Sequence, residues 1–386
     1  MKIHKVATQL HEEVKSWRHL IHKNPEVSME EYETSAFVKK QLDIMGVSYQ
    51  EFAGTGVVAS VKKGTGNRAI GFRCELDALP MGEVNTFSHA STNDGFMHAC
   101  GHDGHTAMLL GAVKALKDSE DFDGTVHFVF QPGEEGSGGA EIMMNDGLFD
   151  ACPMEEIYAM HNWPGIDVGK AGVVYGAVMA ATDSFYLTIT GRGGHAAMPD
   201  LSMDPVIASS HIIMALQTLV SRNVNPADKA VLSATIINGG SATNIIPDSV
   251  SVGGTVRTFL PATRDLMEHR IDEVAKGFAM AFNVGIKVNY ERGYPATFNT
   301  TEQSQYAQAV MSDVLGADNV ADDLQPCMGG EDFSYMLEKV PGNYIWLGNG
   351  DSKNLHNTGF DFNDDIIPLG ISYWMAMAHS RLPIAQ

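Results

Sequence analysis

The chain has 386 residues, of which 44% are hydrophobic and 8% aromatic, an ordinary composition for a globular protein. Its net charge of −21, from 26 basic and 47 acidic residues, argues against nucleic acid or an anionic membrane as partner. No stretch approaches eighteen uncharged apolar residues, and four cysteines are too few for a disulfide scaffold, so neither a membrane span nor a disulfide-built domain is expected.

The length favours two domains. Met1-Lys2-Ile3-His4-Lys5 leads into a mixed polar helical pattern without a signal-peptide core, so a cytoplasmic location is expected. Trp17, Leu20 and Ile21 lie at helical spacing before a break at Asn24-Pro25, and a second helix carrying Tyr32, Phe37, Val38, Leu42 and Met45 stops at Gly46. Strands are expected over 57–61 and 69–74, separated by Gly64-Thr65-Gly66. A helix over 106–116, a buried strand over 125–131, a helix over 139–148 and a strand over 157–161 follow. This alternation predicts an α/β layer with a parallel or mixed sheet. Asp77, Glu134 and His161 fall just after or at the ends of strands, where open α/β sheets gather their sites.

The middle of the chain reads differently. A strand over 184–190, a helix over 205–219, strands over 231–237 and 249–257, a helix over 266–282 and a strand over 284–292 give the order of a ferredoxin-like α+β domain. The expected organisation is a catalytic domain from 1–178 and 294–386, with 179–293 inserted. The segment from Thr301 regains α/β character and carries His356.

Chemistry concentrates in His98-Ala99-Cys100-Gly101-His102-Asp103-Gly104-His105, which packs a thiol and three imidazoles into eight residues. Zinc and similar borderline metals take such sulfur, nitrogen and oxygen ligands. Spacing alone leaves His98, His102 and His105 competing for one role. Glu134-Glu135 follows the apolar run Val126-His127-Phe128-Val129-Phe130, where adjacent acids are costly unless solvated, paired or metal-bound. One carboxylate can ligate while its neighbour moves a proton. Asp77 is suited to orienting a ligating imidazole or, equally, to capping a helix or turn. His161 and His356 are individually weaker candidates. In the middle segment, His195 sits in the glycine-rich Gly191–Pro199 stretch, where it can donate to an anion, and Asn244 is a second polar group in a loop; turn chemistry is the alternative for both.

These segments together closely resemble the M20 metallopeptidases, in particular the amidohydrolase branch of hippurate hydrolases, N-acetyl-amino-acid deacetylases and auxin-conjugate hydrolases. The resemblance runs over nearly the whole chain: His22-Lys23-Asn24-Pro25-Glu26, Glu75 through Pro80, Met97 through His105, Phe130 through Gly139, Gly191 through Pro199, Thr243-Asn244, and Gly330-Glu331-Asp332-Phe333. It implies a mixed-sheet α/β catalytic domain with a lid and dimerisation domain. It also implies a binuclear centre for two divalent ions (manganese, zinc, nickel or cobalt) on Cys100, His102, Glu135, His161 and His356, with Cys100 bridging. Glu134 falls at the general-base position, Asp77 at that of the orienting acid, and His195 and Asn244 at substrate-facing positions, His195 reaching toward the partner subunit's active site. His98 and His105 are then left to support the ligands or open the helix. Phe87 through Ser91 departs from the family's usual aromatic-alanine-serine step, so a changed pocket rim is expected there.

The expected activity is hydrolysis of an N-acyl amino acid by a homodimer or homotetramer. A dipeptidase or aminopeptidase is the alternative within the family. A cysteine hydrolase built on Cys100 would survive a chelator, and a silent metal-binding protein would lack the acids or ligands that this chain retains.

Overall fold

In the computed structural model, which describes residues 1–384, the chain divides into two compact units. The larger comprises Met1–Val178, Phe298–Gln325 and the chain from Asp332 onward; the smaller comprises Met179–Thr297 and Pro326–Glu331. The last segment joins the smaller unit because the Ala180 N–H lies 3.1 Å from the Cys327 carbonyl and 3.0 Å from that of Gly329.

An eight-stranded mixed sheet organises the larger unit. Its order is Tyr49–Phe52, Gly56–Lys63, Gly124–Gln131, Ala69–Glu75, Glu156–Pro164, Gly342–Gly350, Ala171–Gly172, Val320–Ala321. The four strands from Gly124–Gln131 to Gly342–Gly350 are mutually parallel, as the βα alternation predicts, whereas Gly56–Lys63 enters antiparallel. The central strands are buried almost throughout, which is why they read as unbroken apolar runs. Helices Lys5–Lys23 and Ile367–Arg381 pack against helix His102–Lys117, whose apolar residues are buried on every side.

Helix boundaries depart from expectation at two places. The helix expected at Thr106 begins at His102, so His102, Asp103 and His105 occupy its first turn. Its polar start imitates a loop in sequence, but Gly101, with φ +94°, makes the left-handed entry, and the acidic Asp103 suits a helix N-terminus. The helix expected over 139–148 is two, Gly139–Asn145 and Leu148–Ala151, divided at Gly147 with φ +92°.

In the smaller unit, strands Ala181–Thr190, Ala230–Asn238, Ser249–Thr258 and Gly285–Arg292 form an antiparallel sheet. Their spatial order is second, third, first, fourth along the chain. Helices Pro205–Asn223 and Pro261–Phe282 pack against it. Ala181–Thr190 alternates buried and exposed residues, the signature of a sheet covered on one face. No helix among the described residues is long and apolar enough to cross a membrane.

Candidate metal centre

Strand ends of the large sheet and the start of helix His102–Lys117 bring distant residues together. Cys100, His102 and His161 are buried, with candidate ligand atoms within 4.8 Å of one another. A second trio within that limit is Cys100, Glu135 and His356, so the two trios meet at the thiol. His102, Glu134 and Glu135 form a third. These groupings are consistent with a dinuclear metal site.

The imidazoles are held by their other nitrogens. His161 Nδ1 is 2.7 Å from the Asn162 carbonyl, leaving Nε2 facing Cys100 Sγ at 3.3 Å. His102 Nδ1 lies 2.9 Å from the Asp77 carbonyl and 3.1 Å from its carboxylate, which leaves Nε2 for a ligand. Asp77 also accepts the Glu135 N–H at 2.8 Å and the Ser28 hydroxyl at 2.7 Å, so one buried carboxylate fixes both segments. His356 Nε2 is 3.0 Å from Glu135, and its backbone adopts φ +60°, a sparsely populated conformation for a side-chain-bearing residue. The His356 N–H donates to the Ala99 carbonyl at 2.8 Å, which ties this loop beside Cys100.

The local field favours a cation. Burial alone would lower the His102 imidazole, but the hydrogen bond to Asp77 and the charges of Glu75, Asp77 and Glu135 push it up to about 10. Burial, then Glu135, Glu134 and Glu75, hold the Cys100 thiol well above its ordinary value. Burial and His105 keep His161 neutral, well below the usual imidazole range. A divalent ion would relieve the carboxylate excess, displace the protons from thiol and imidazole, and use the donors already aimed at one another.

Glu134 is buried at 7% exposure, and the Asp332 N–H approaches its carboxylate at 3.4 Å. Asp332 accepts from Arg73 at 2.7 Å, from Gln131 at 2.8 Å and from the Ala140 N–H at 2.9 Å. Arg73 also pairs with Glu75, which lies 2.7 Å from His105 Nδ1. His105 Nε2 faces the Asn162 amide oxygen at 2.7 Å. His105 therefore braces the strand end carrying His161, whereas neither ring nitrogen of buried His98 has a hydrogen-bond partner among the described residues. Sequence reasoning passed over Arg73, Gln131 and Asn162; their signal was polarity within otherwise apolar strand runs.

The Phe87–Ser91 variation packs on helix Lys5–Lys23. Phe87 stacks on His89, which stacks on His19, and Glu83 accepts the Ser91 N–H at 2.6 Å. His195 and Asn244 lie on the smaller unit, both exposed. His195 pairs with Ile245 in a two-stranded ribbon, and the Ala196 N–H donates to the Asn244 carbonyl at 3.0 Å. The Ala197 N–H donates to His195 Nδ1 at 3.1 Å, which places the neutral ring's proton on Nε2.

Residues 71–380 match the model of "Peptidase family M20/M25/M40". The chain is 40% identical to hippurate hydrolase of Campylobacter jejuni over 94% of each chain. It is also 40% identical to N-acetyl-L-cysteine deacetylase of Bacillus subtilis, covering 95% of this chain and 86% of that one. A crystal structure of a dinuclear metal-binding M20 peptidase from Bacillus subtilis superposes with TM-score 0.87 at 30% identity, covering 97% of this chain and 99% of the other.

Proposed function

The chain belongs to peptidase family M20/M25/M40, and from that premise we propose that it hydrolyses the amide bond of N-acyl amino acids, releasing a carboxylate and a free amino acid. The observation that carries the proposal is the meeting of two donor trios at Cys100, beside the Glu134 carboxylate. Its relatives are named for hydrolysis of hippurate, which is N-benzoylglycine, and for deacetylation of N-acetyl-L-cysteine.

In this mechanism Cys100, His102, Glu135, His161 and His356 would hold two divalent ions. Thiolate and imidazole donors suit zinc, nickel or cobalt, and the carboxylate keeps manganese in the set. When bound, the ions supply Lewis acidity to the amide carbonyl and make water more acidic. Glu134 accepts a proton from the attacking water on a carboxylate oxygen and delivers it to the leaving amine nitrogen. Asp77 holds His102 and the Glu135 backbone in place. His195 donates a hydrogen bond from its Nε2–H to the developing oxyanion, and Asn244 meets the substrate carboxylate.

The functional division is a catalytic domain of 1–178 and 294–386 with a ferredoxin-like lid and dimerisation domain of 179–293. The strand order and antiparallel pairing of the smaller unit support its ferredoxin-like part, and the smaller compact unit also takes in 294–297 and Pro326–Glu331. Exposed Ile207, Met214 and Ile237, at 50%, 73% and 59%, support a homodimer or homotetramer built through this unit. The four free cysteines fit a reducing cytoplasm.

Comparison of an N-acetyl amino acid with the matching dipeptide tests the proposal. The N-acyl compound should be hydrolysed and the dipeptide left essentially intact; preference for the dipeptide would make the chain a peptidase.

A further inference from the structure

Beside the metal centre lies an aromatic pair that the mechanism above does not use. His161 and Trp163 are two residues apart on the strand Glu156–Pro164, so their side chains leave the same face of the sheet. Their ring centroids are 6.0 Å apart. Trp163 stacks on Trp346 of the adjacent strand, with centroids 4.1 Å apart and planes inclined by 17°. Trp346 is only 3% exposed, whereas Trp163 is half-buried. Opposite Trp163 in the register stands Gly348, where a side chain would meet the Ile166–Asp167 backbone. Register then shifts between Gly348 and Gly350, an irregularity of the kind that re-aims side chains near sites.

Trp346 thus forms a buried floor that fixes the plane of a partly exposed indole, one imidazole away from Cys100. An indole left half in water beside a polar centre gains most from a flat apolar ligand. The amide carbon must lie at the metal centre, so the group within reach of Trp163 is a substituent of that carbon or of the amine. An acetyl methyl is too small to cover the indole, whereas an aromatic ring joined directly to the carbonyl is flat, rigid and large enough to stack on it.

We propose that Trp163, held by Trp346, is a specificity-determining residue that receives the acyl group and favours N-aroyl over N-acetyl amino acids. This rests on the amidohydrolase function proposed above. The two acyl groups share one reaction, so a stacking role changes their ratio, whereas a general structural role changes both together.

The test compares N-benzoylglycine with N-acetylglycine for the wild type, Trp163→Ala and Trp163→Phe, with metal content and thermal midpoint measured for each. Trp163→Ala should lower kcat/KM for the benzoyl substrate about tenfold more than for the acetyl substrate, or about 1.4 kcal/mol of selectivity. The loss should appear mainly in KM, and Trp163→Phe should recover part of it. Equal losses on both substrates, or an unchanged ratio, overturn the proposal. If the wild type hydrolyses neither substrate, the amidohydrolase function fails separately; calorimetric binding of N-benzoylglycine to wild type and Trp163→Ala then decides the role of the indole, and equal affinity overturns it.

Discussion

At the residue scale, Glu134 and Glu135 are chemically identical neighbours that their surroundings separate. Glu135 faces His356 and anchors its backbone on Asp77, whereas Glu134 approaches the Asp332 N–H. The proposed division into ligand and base comes from the resemblance, and the pairing of Glu135 with His356 supports it. Glu134→Gln keeps the shape and removes the proton acceptor, so turnover should fall about 10²–10⁴-fold, the range expected for a positioned acid–base group. Metal analysis should show unchanged occupancy; retained hydrolysis at full occupancy would remove Glu134 from the base role. The adjacent acids were visible in sequence because they follow a very apolar run. The choice among His98, His102 and His105 was not legible from spacing and came from the resemblance, because it depends on Glu75 and Asp77 at the end of one strand and on Asn162 of its neighbour.

At the scale of elements, the parallel core was legible from apolar strands alternating with helices. The start of helix His102–Lys117 was not, because its first turn carries the polar residues that serve the site. Equally hidden was the network tying that turn to helix Lys5–Lys23. Arg18 donates to Asp103 at 2.6 Å, and His22 Nδ1 lies 2.8 Å from the same carboxylate, across 85 and 81 positions respectively. Long-range ion pairs leave no periodicity to read. Burial would lower the His22 imidazole, but Asp103 and Glu83 outweigh it and raise it to about 9. A raised imidazole contributes stability that is full below its unfolded value, about 6.5, and is lost as pH climbs toward 9. The chemical-denaturation midpoint should therefore decline between pH 6.5 and 9. His22→Gln should be less stable at pH 6.5 and show a shallower decline; parallel pH profiles would contradict the assigned pairing.

At the scale of the whole molecule, two units carry different parts of the proposed machinery. The ligand set and Glu134 belong to the larger, and His195 and Asn244 to the smaller. Their joint use could not be inferred from local spacing; it came from the resemblance of segments spread along the chain. If His195 serves the partner subunit's site, mixed dimers of His195→Ala and Glu134→Gln subunits should regain activity, because one site per dimer would have both groups intact. Activity no greater than that of either mutant homodimer would exclude that sharing.

The central claim is that metal held around Cys100 makes this chain an N-acyl amino acid hydrolase. Its most direct test is to remove metal with a chelator, return manganese, zinc, cobalt or nickel in measured increments, and follow N-acyl amino acid hydrolysis with bound metal per chain. Activity should vanish on removal and return as occupancy approaches about two ions per chain, the stoichiometry of a two-metal site. Full hydrolysis by the metal-free protein would contradict the claim.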